Sequence, residues 1–124
     1  MTQARPIYTD LNLLISDQEW GKIVPELPPA LAAAGYAPSE IHAEVLDLTC
    51  EPDNMLLNQY ESIEGRSPLM PVQRIVINGH SSLDLRTATE VVVAQLPADT
   101  YWFGTSGEGE LNPGLAAACA WQHP

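Results

Sequence analysis

The stretch Val72-Gln73-Arg74-Ile75-Val76-Ile77-Asn78-Gly79 carries the clearest strand signal of the chain. Its β-branched residues fit a pleated, packed surface, and Asn78-Gly79 tolerates positive φ, which predicts a turn directly after Ile77. Downstream, Leu85, Ala88, Thr89, Val92 and Leu96 fall at helical spacing, although Val91-Val92-Val93 would equally suit a strand. Tyr101 to Phe103 reads as a last short strand, and Asn112-Pro113 opens a small helix through Ala120, with proline at the first helical position.

Upstream, Ile7 to Ile15 alternates, with Leu11, Leu13 and Ile15 on one side and Asp10, Asn12 and Leu14 on the other. Ser16 followed by Glu19 has capping-box spacing, and Asp17 adds negative charge in the first turn, so a helix is expected to begin here. Trp20, Ile23, Val24, Leu27 and Leu31 give that helix one apolar face. Pro25, Pro28 and Pro29 should kink or divide it before Ala30 to Ala34, and Gly35 is its expected stop. Glu40 to Cys50 is ambiguous between a half-exposed strand and a helix face built on Ile41, Val45 and Leu48; its alternation favours a strand. Asp53 to Tyr60 reads as a loop or short helix.

Taken in order, these elements are strand, helix, strand, strand, helix, strand and terminal helix. That order fits an α+β protein of the ferredoxin-like split βαβ type, an antiparallel sheet with two covering helices and a short C-terminal helix. Such a sheet often leaves one face free, so a homodimer or a ligand on that face is a reasonable expectation. At 124 residues the chain fits one globular domain, 1–124. A hydrophobic share of 45% against 17% charged residues argues against charge-driven disorder. Eleven prolines, roughly double the usual share of about 5%, imply short elements and many irregular connections. No apolar run approaches the ~20 residues that span a bilayer. The start, Met1 to Pro6, lacks the apolar stretch of a secretory signal, so a cytoplasmic location is expected. Cys50 and Cys119 are read as reduced core residues rather than a disulfide framework.

Charge is the most informative global property. Sixteen acids against five Lys and Arg give a formal charge of -11, and no Lys or Arg occurs between Ile23 and Gly65 or after Arg86. Such a molecule repels nucleic-acid phosphate and anionic membrane and attracts basic surfaces. The acidic block supplies the candidate partner-binding residues Glu40, Glu44, Asp47, Glu51, Asp53, Glu61 and Glu64. Trp102 joins them as a large ring that a strand reading leaves half exposed.

Several short constellations suggest other chemistry. His42-Ala43-Glu44 matches the H-x-E half of a zinc deaminase signature, but Cys50-Glu51-Pro52 supplies one thiol where two are needed, so no metal is assigned. Gly79-His80-Ser81-Ser82-Leu83-Asp84-Leu85 resembles the phosphopantetheine-accepting core of peptidyl and acyl carrier proteins, with Ile41 to Leu48 similar to the first helix of that family. That resemblance implies an acidic carrier with its prosthetic arm on a serine. The doubled serine shifts the register, and Arg74 to Ile77 is strand-like where the carrier family has a loop. Ser81 or Ser82 is therefore read as the cap of the helix starting near Asp84. His80, Ser81 and Asp84 are too local to assemble a triad. Gly104-Thr105-Ser106-Gly107-Glu108-Gly109 lacks a phosphate-binding Lys and reads as a flexible loop.

The residues therefore favour a non-enzymatic acidic binding module for a basic protein partner, similar in charge and size to inhibitors, immunity proteins and anti-defence antagonists, without a cofactor. The alternative is a small dimeric protein that binds or converts an anionic molecule in a cleft formed with Arg74, His80 and Arg86, with His42 as a further candidate.

Overall fold

The computed structural model describes residues 3–46, 55–66 and 68–112. In chain order the elements are β1 (Arg5–Leu14), α1 (Asp17–Ile23), a 3-10 turn (Val24–Glu26), α2 (Leu27–Ala33), β2 (Tyr36–Val45), α3 (Met55–Glu64), β3 (Val72–Ser81), α4 (Leu85–Val93) and β4 (Trp102–Glu108). The four strands form one sheet in the order β2-β3-β1-β4, every neighbouring pair antiparallel. The protein is thus α+β, with an antiparallel sheet at its centre.

Local chemistry explains the first helical segment. The Ser16 side chain accepts from the Glu19 amide at 3.1 Å and starts α1, while the proline-rich run breaks the helix into α1, the 3-10 turn and α2. Gly35 then takes φ 102°, a left-handed value that lets the chain reverse into β2. At the start of α4 the cap is Asp84, whose carboxylate accepts from the Thr87 amide at 2.8 Å. The expectation of a serine cap is corrected: Ser81 is buried, donates to the Gly35 carbonyl at 2.6 Å and accepts from the Leu83 amide at 3.0 Å.

The sheet faces have different cores. Toward α1, α2 and α4 the strands present Ile7, Leu11, Leu13, Ile75 and Ile77, packed with Trp20, Leu27, Leu31, Ala88 and Val92. On the opposite face Leu14, Val72 and Leu46 meet Leu56 and Tyr60, so α3 covers one end of that face. The Tyr60 and Tyr101 rings meet edge-on there, with centroids 5.1 Å apart.

Two predicted punctuation points are strand interior. Asn78-Gly79 makes no turn: β3 runs through it to Ser81, and Gly79 lies where the Ala37 carbonyl and Pro38 of β2 come close. The glycine is present for close approach rather than for positive φ. Gly104 to Glu108 likewise belongs to β4, paired along β1 from Gly104↔Leu11 to Glu108↔Ile7. Gly107 makes room for the Tyr8 ring crossing from β1. The ambiguous segment is a strand, but it begins at Tyr36 and ends at Val45, and Met55–Glu64 is a ten-residue helix. Val91-Val92-Val93 is helical. The C-terminal helix predicted from Pro113 to Ala120, and both cysteines, lie outside the described residues.

Candidate functional site

Alternation along β2 sorts its side chains into two rows. Glu40, His42 and Glu44 oppose Asn78, Val76 and Arg74 of β3 and share the face of the sheet away from α1, α2 and α4. Ile41, Ala43 and Val45 point to the other face. Because β2 is an edge strand, both rows border solvent: Glu40, His42 and Glu44 are exposed, and Val45 is 54% exposed. His42 Nε2 donates to Glu40 Oε2 at 2.9 Å, so His42 pairs with the acid before it, while Glu44 of the H-x-E pair shares the face.

Asn78 fixes what crosses this face. Its side-chain amide donates to the Leu111 carbonyl at 3.0 Å, and its oxygen accepts from the Leu111 amide at 2.9 Å. This two-point clip brings the segment after β4 across the sheet and sets Glu110 beside Glu40 and His42. Between Glu40, His42, Asn78, Glu110, Leu111 and Asn112 lies an open depression of about 450 Å³. A carboxylate only accepts hydrogen bonds when ionised, so this depression suits donors and cations.

Arg74 lies farther along the same face and is 8% exposed. Asp10 of β1 holds it in a two-pronged pair, Nε to Oδ1 at 2.9 Å and Nη2 to Oδ2 at 2.6 Å. The guanidinium is thus committed to a carboxylate within the fold. His80 is exposed six residues along β3 from Arg74, and Arg86 sits on α4 with its own partner, Glu90, at 3.4 Å. The structure does not gather Arg74, His80 and Arg86 around one cleft.

The proposed partner-binding residues are also dispersed. Glu40 and Glu44 stand together on β2. Glu61 and Glu64 are exposed on α3, where the Tyr101 hydroxyl donates to Glu64 Oε2 at 3.0 Å. The nearby carboxylate and desolvation raise the Tyr101 pKa above its ordinary value, desolvation being the larger cause. Trp102 is 37% exposed at the opposite edge of the sheet, on the helix-covered side, against a groove of about 310 Å³ formed with Val93, Leu96 and Pro97. Asp47, Glu51 and Asp53 lie outside the described residues.

Sequence reasoning passed over Asp10, Asn78, Glu110 and Leu111. Asp10 had a visible signal, a lone acid within an apolar strand, whereas the Asn78 clip depends on a segment far along the chain. Among the described residues no group of three or more His, Cys, Asp or Glu is placed to hold a metal ion, and no helix is long and apolar enough to cross a membrane. Comparison with family models, curated proteins and solved structures finds no match to this chain.

Proposed function

We propose that the protein is a small acidic binding module that presents the carboxylate row of β2 to a basic surface on a partner protein, in the manner of an inhibitor, immunity or anti-defence protein. The observation that carries this reading is the pair of exposed carboxylates, Glu40 and Glu110, lining one depression, with exposed Glu44 farther along the same row of β2, on a face where Arg74 is already held by Asp10. Exposed carboxylates attract a basic partner over distance and hydrogen-bond its Lys and Arg donors at contact. The scaffold suits the role. With β1 and β2 both running against β3 between them, and β4 on the far edge, the strand order supports a ferredoxin-like split βαβ reading, into which α3 is inserted between β2 and β3.

The test is kinetic. Partners captured from native lysate by the wild-type chain are re-measured against Glu40→Lys/Glu44→Lys over a salt series. The Debye length is ~8 Å at physiological ionic strength, so added salt and the double reversal should each slow association, with dissociation less affected. Exposed charges contribute little to folding, so the variant should melt within about 0.5 kcal/mol of wild type in stability. Association at an unchanged rate, insensitive to salt, rejects the acidic-surface reading.

A further inference from the structure

Resting on that reading, we infer that the free edge of β2 captures its partner by strand addition, taking an extended segment in which basic and apolar residues alternate. The inference starts from the open side of the sheet. Among the described residues β2 pairs only with β3 and is terminal in the strand order, so alternate backbone N–H and C=O groups point away from the sheet. Pro38 and the register irregularity between Pro38 and Glu40 blunt the first part of this edge. From Glu40 to Val45 the pairing with β3 is regular, which leaves about the length of an average strand open for addition.

The two rows of side chains define what fits. An added strand places its residues alternately on the two faces of the sheet, each opposite a β2 residue. On one face it meets Glu40, His42 and Glu44, whose two carboxylates select Lys or Arg. On the other it meets Ile41, Ala43 and exposed Val45, continuous with an apolar groove of about 270 Å³ lined by Val24, Pro28, Pro38 and Ile41. Main-chain bonds would supply affinity and these alternate contacts the specificity. In an antiparallel two-fold pairing centred on His42 a second copy of this chain fits poorly, because each Glu40 meets the other copy's Glu44 and like charges directly opposite are destabilising.

The test uses the full chain and three labelled peptides of equal composition and charge, each about six residues long. One alternates Lys and Val, one segregates them into two blocks, and one is the alternating peptide N-methylated at every second amide, which prevents main-chain pairing. Fluorescence anisotropy reads affinity, and hydrogen exchange reads the amides of residues 40–45. The alternating peptide should bind at least about tenfold more tightly than either control and slow exchange in that segment. Val45→Asp, at an exposed position, should weaken the alternating peptide and spare the blocked one. Equal binding of all three peptides overturns strand addition while leaving the acidic-surface reading intact. Absence of binding by any of them at low salt overturns both. Protection of residues 40–45 in a peptide-free dimer overturns the inference in favour of self-pairing.

Discussion

Replacing Thr9 by Val probes a chain of hydroxyls buried under α4. Thr9 Oγ1 lies 3.0 Å from the Tyr36 hydroxyl and 2.8 Å from Ser106 Oγ, which is itself 2.7 Å from Thr89 Oγ1. At its ends the chain donates to backbone, Tyr36 to Ile77 O at 3.2 Å and Thr89 to Leu85 O at 3.2 Å. Four hydroxyl protons therefore serve five contacts, so one contact is always short of a proton. Val keeps the shape of Thr and removes the two central contacts, leaving three protons for three acceptors and no stranded donor. The loss is thus close to one net hydrogen bond, about 1 kcal/mol with a ceiling near 2, without the further penalty of about 1–3 kcal/mol for an unsatisfied buried group. Urea unfolding should show the midpoint falling by roughly 0.5 M at unchanged slope. Ser106→Ala likewise removes one proton, and the double variant keeps two protons for the two remaining contacts, Tyr36 to Ile77 O and Thr89 to Leu85 O, so its cost should equal the sum of the singles within about 0.5 kcal/mol. A Thr9→Val loss above about 3 kcal/mol, or a departure from additivity with Ser106→Ala of more than about 1 kcal/mol, refutes the proton count.

Tyr36 extends the same network into alkaline pH. Burial raises its pKa above 10.0, and the hydrogen bond with Thr9 only partly offsets this. The neutral phenol is the form the fold favours, so its stabilisation is complete below the unfolded value and is lost as pH rises through the raised folded value. Tyr36→Phe should therefore flatten the decline in stability above about pH 10, read by urea midpoints across an alkaline series. Gly79→Ala would bring a Cβ within 2.3 Å of the Ala37 carbonyl oxygen and 2.8 Å of Pro38 Cα, both backbone atoms that cannot rotate away. Parting β2 from β3 at this point should cost about 1–3 kcal/mol and raise hydrogen exchange along Ala37 to Glu40, whereas an unperturbed midpoint would show that the bulge relaxes freely.

Much of the local structure was legible because its causes lie within a few residues of one another. The alternation through β1, the Ser16 cap, the Gly35 stop and the helical spacing after Leu85 all act through neighbours one to four positions apart, and each appears in the fold. The same local signals misread Asn78-Gly79 and Gly104 to Gly107. A glycine that frees φ and one that clears space for another strand are identical in sequence. The Ala37 carbonyl at Gly79 and the Tyr8 ring at Gly107 distinguish them only once the sheet is assembled. The candidate site divides in the same way. Net charge, and the shared face of Glu40, His42 and Glu44, follow from composition and the two-residue period of a strand. Tertiary structure decided that β2 is an edge, that Asp10 holds Arg74 across 64 residues of sequence, and that Asn78 brings Glu110 beside Glu40. Those outcomes depend on which distant backbone and side-chain groups satisfy one another's hydrogen bonds and charges, and the local pattern of residues carries no record of that pairing.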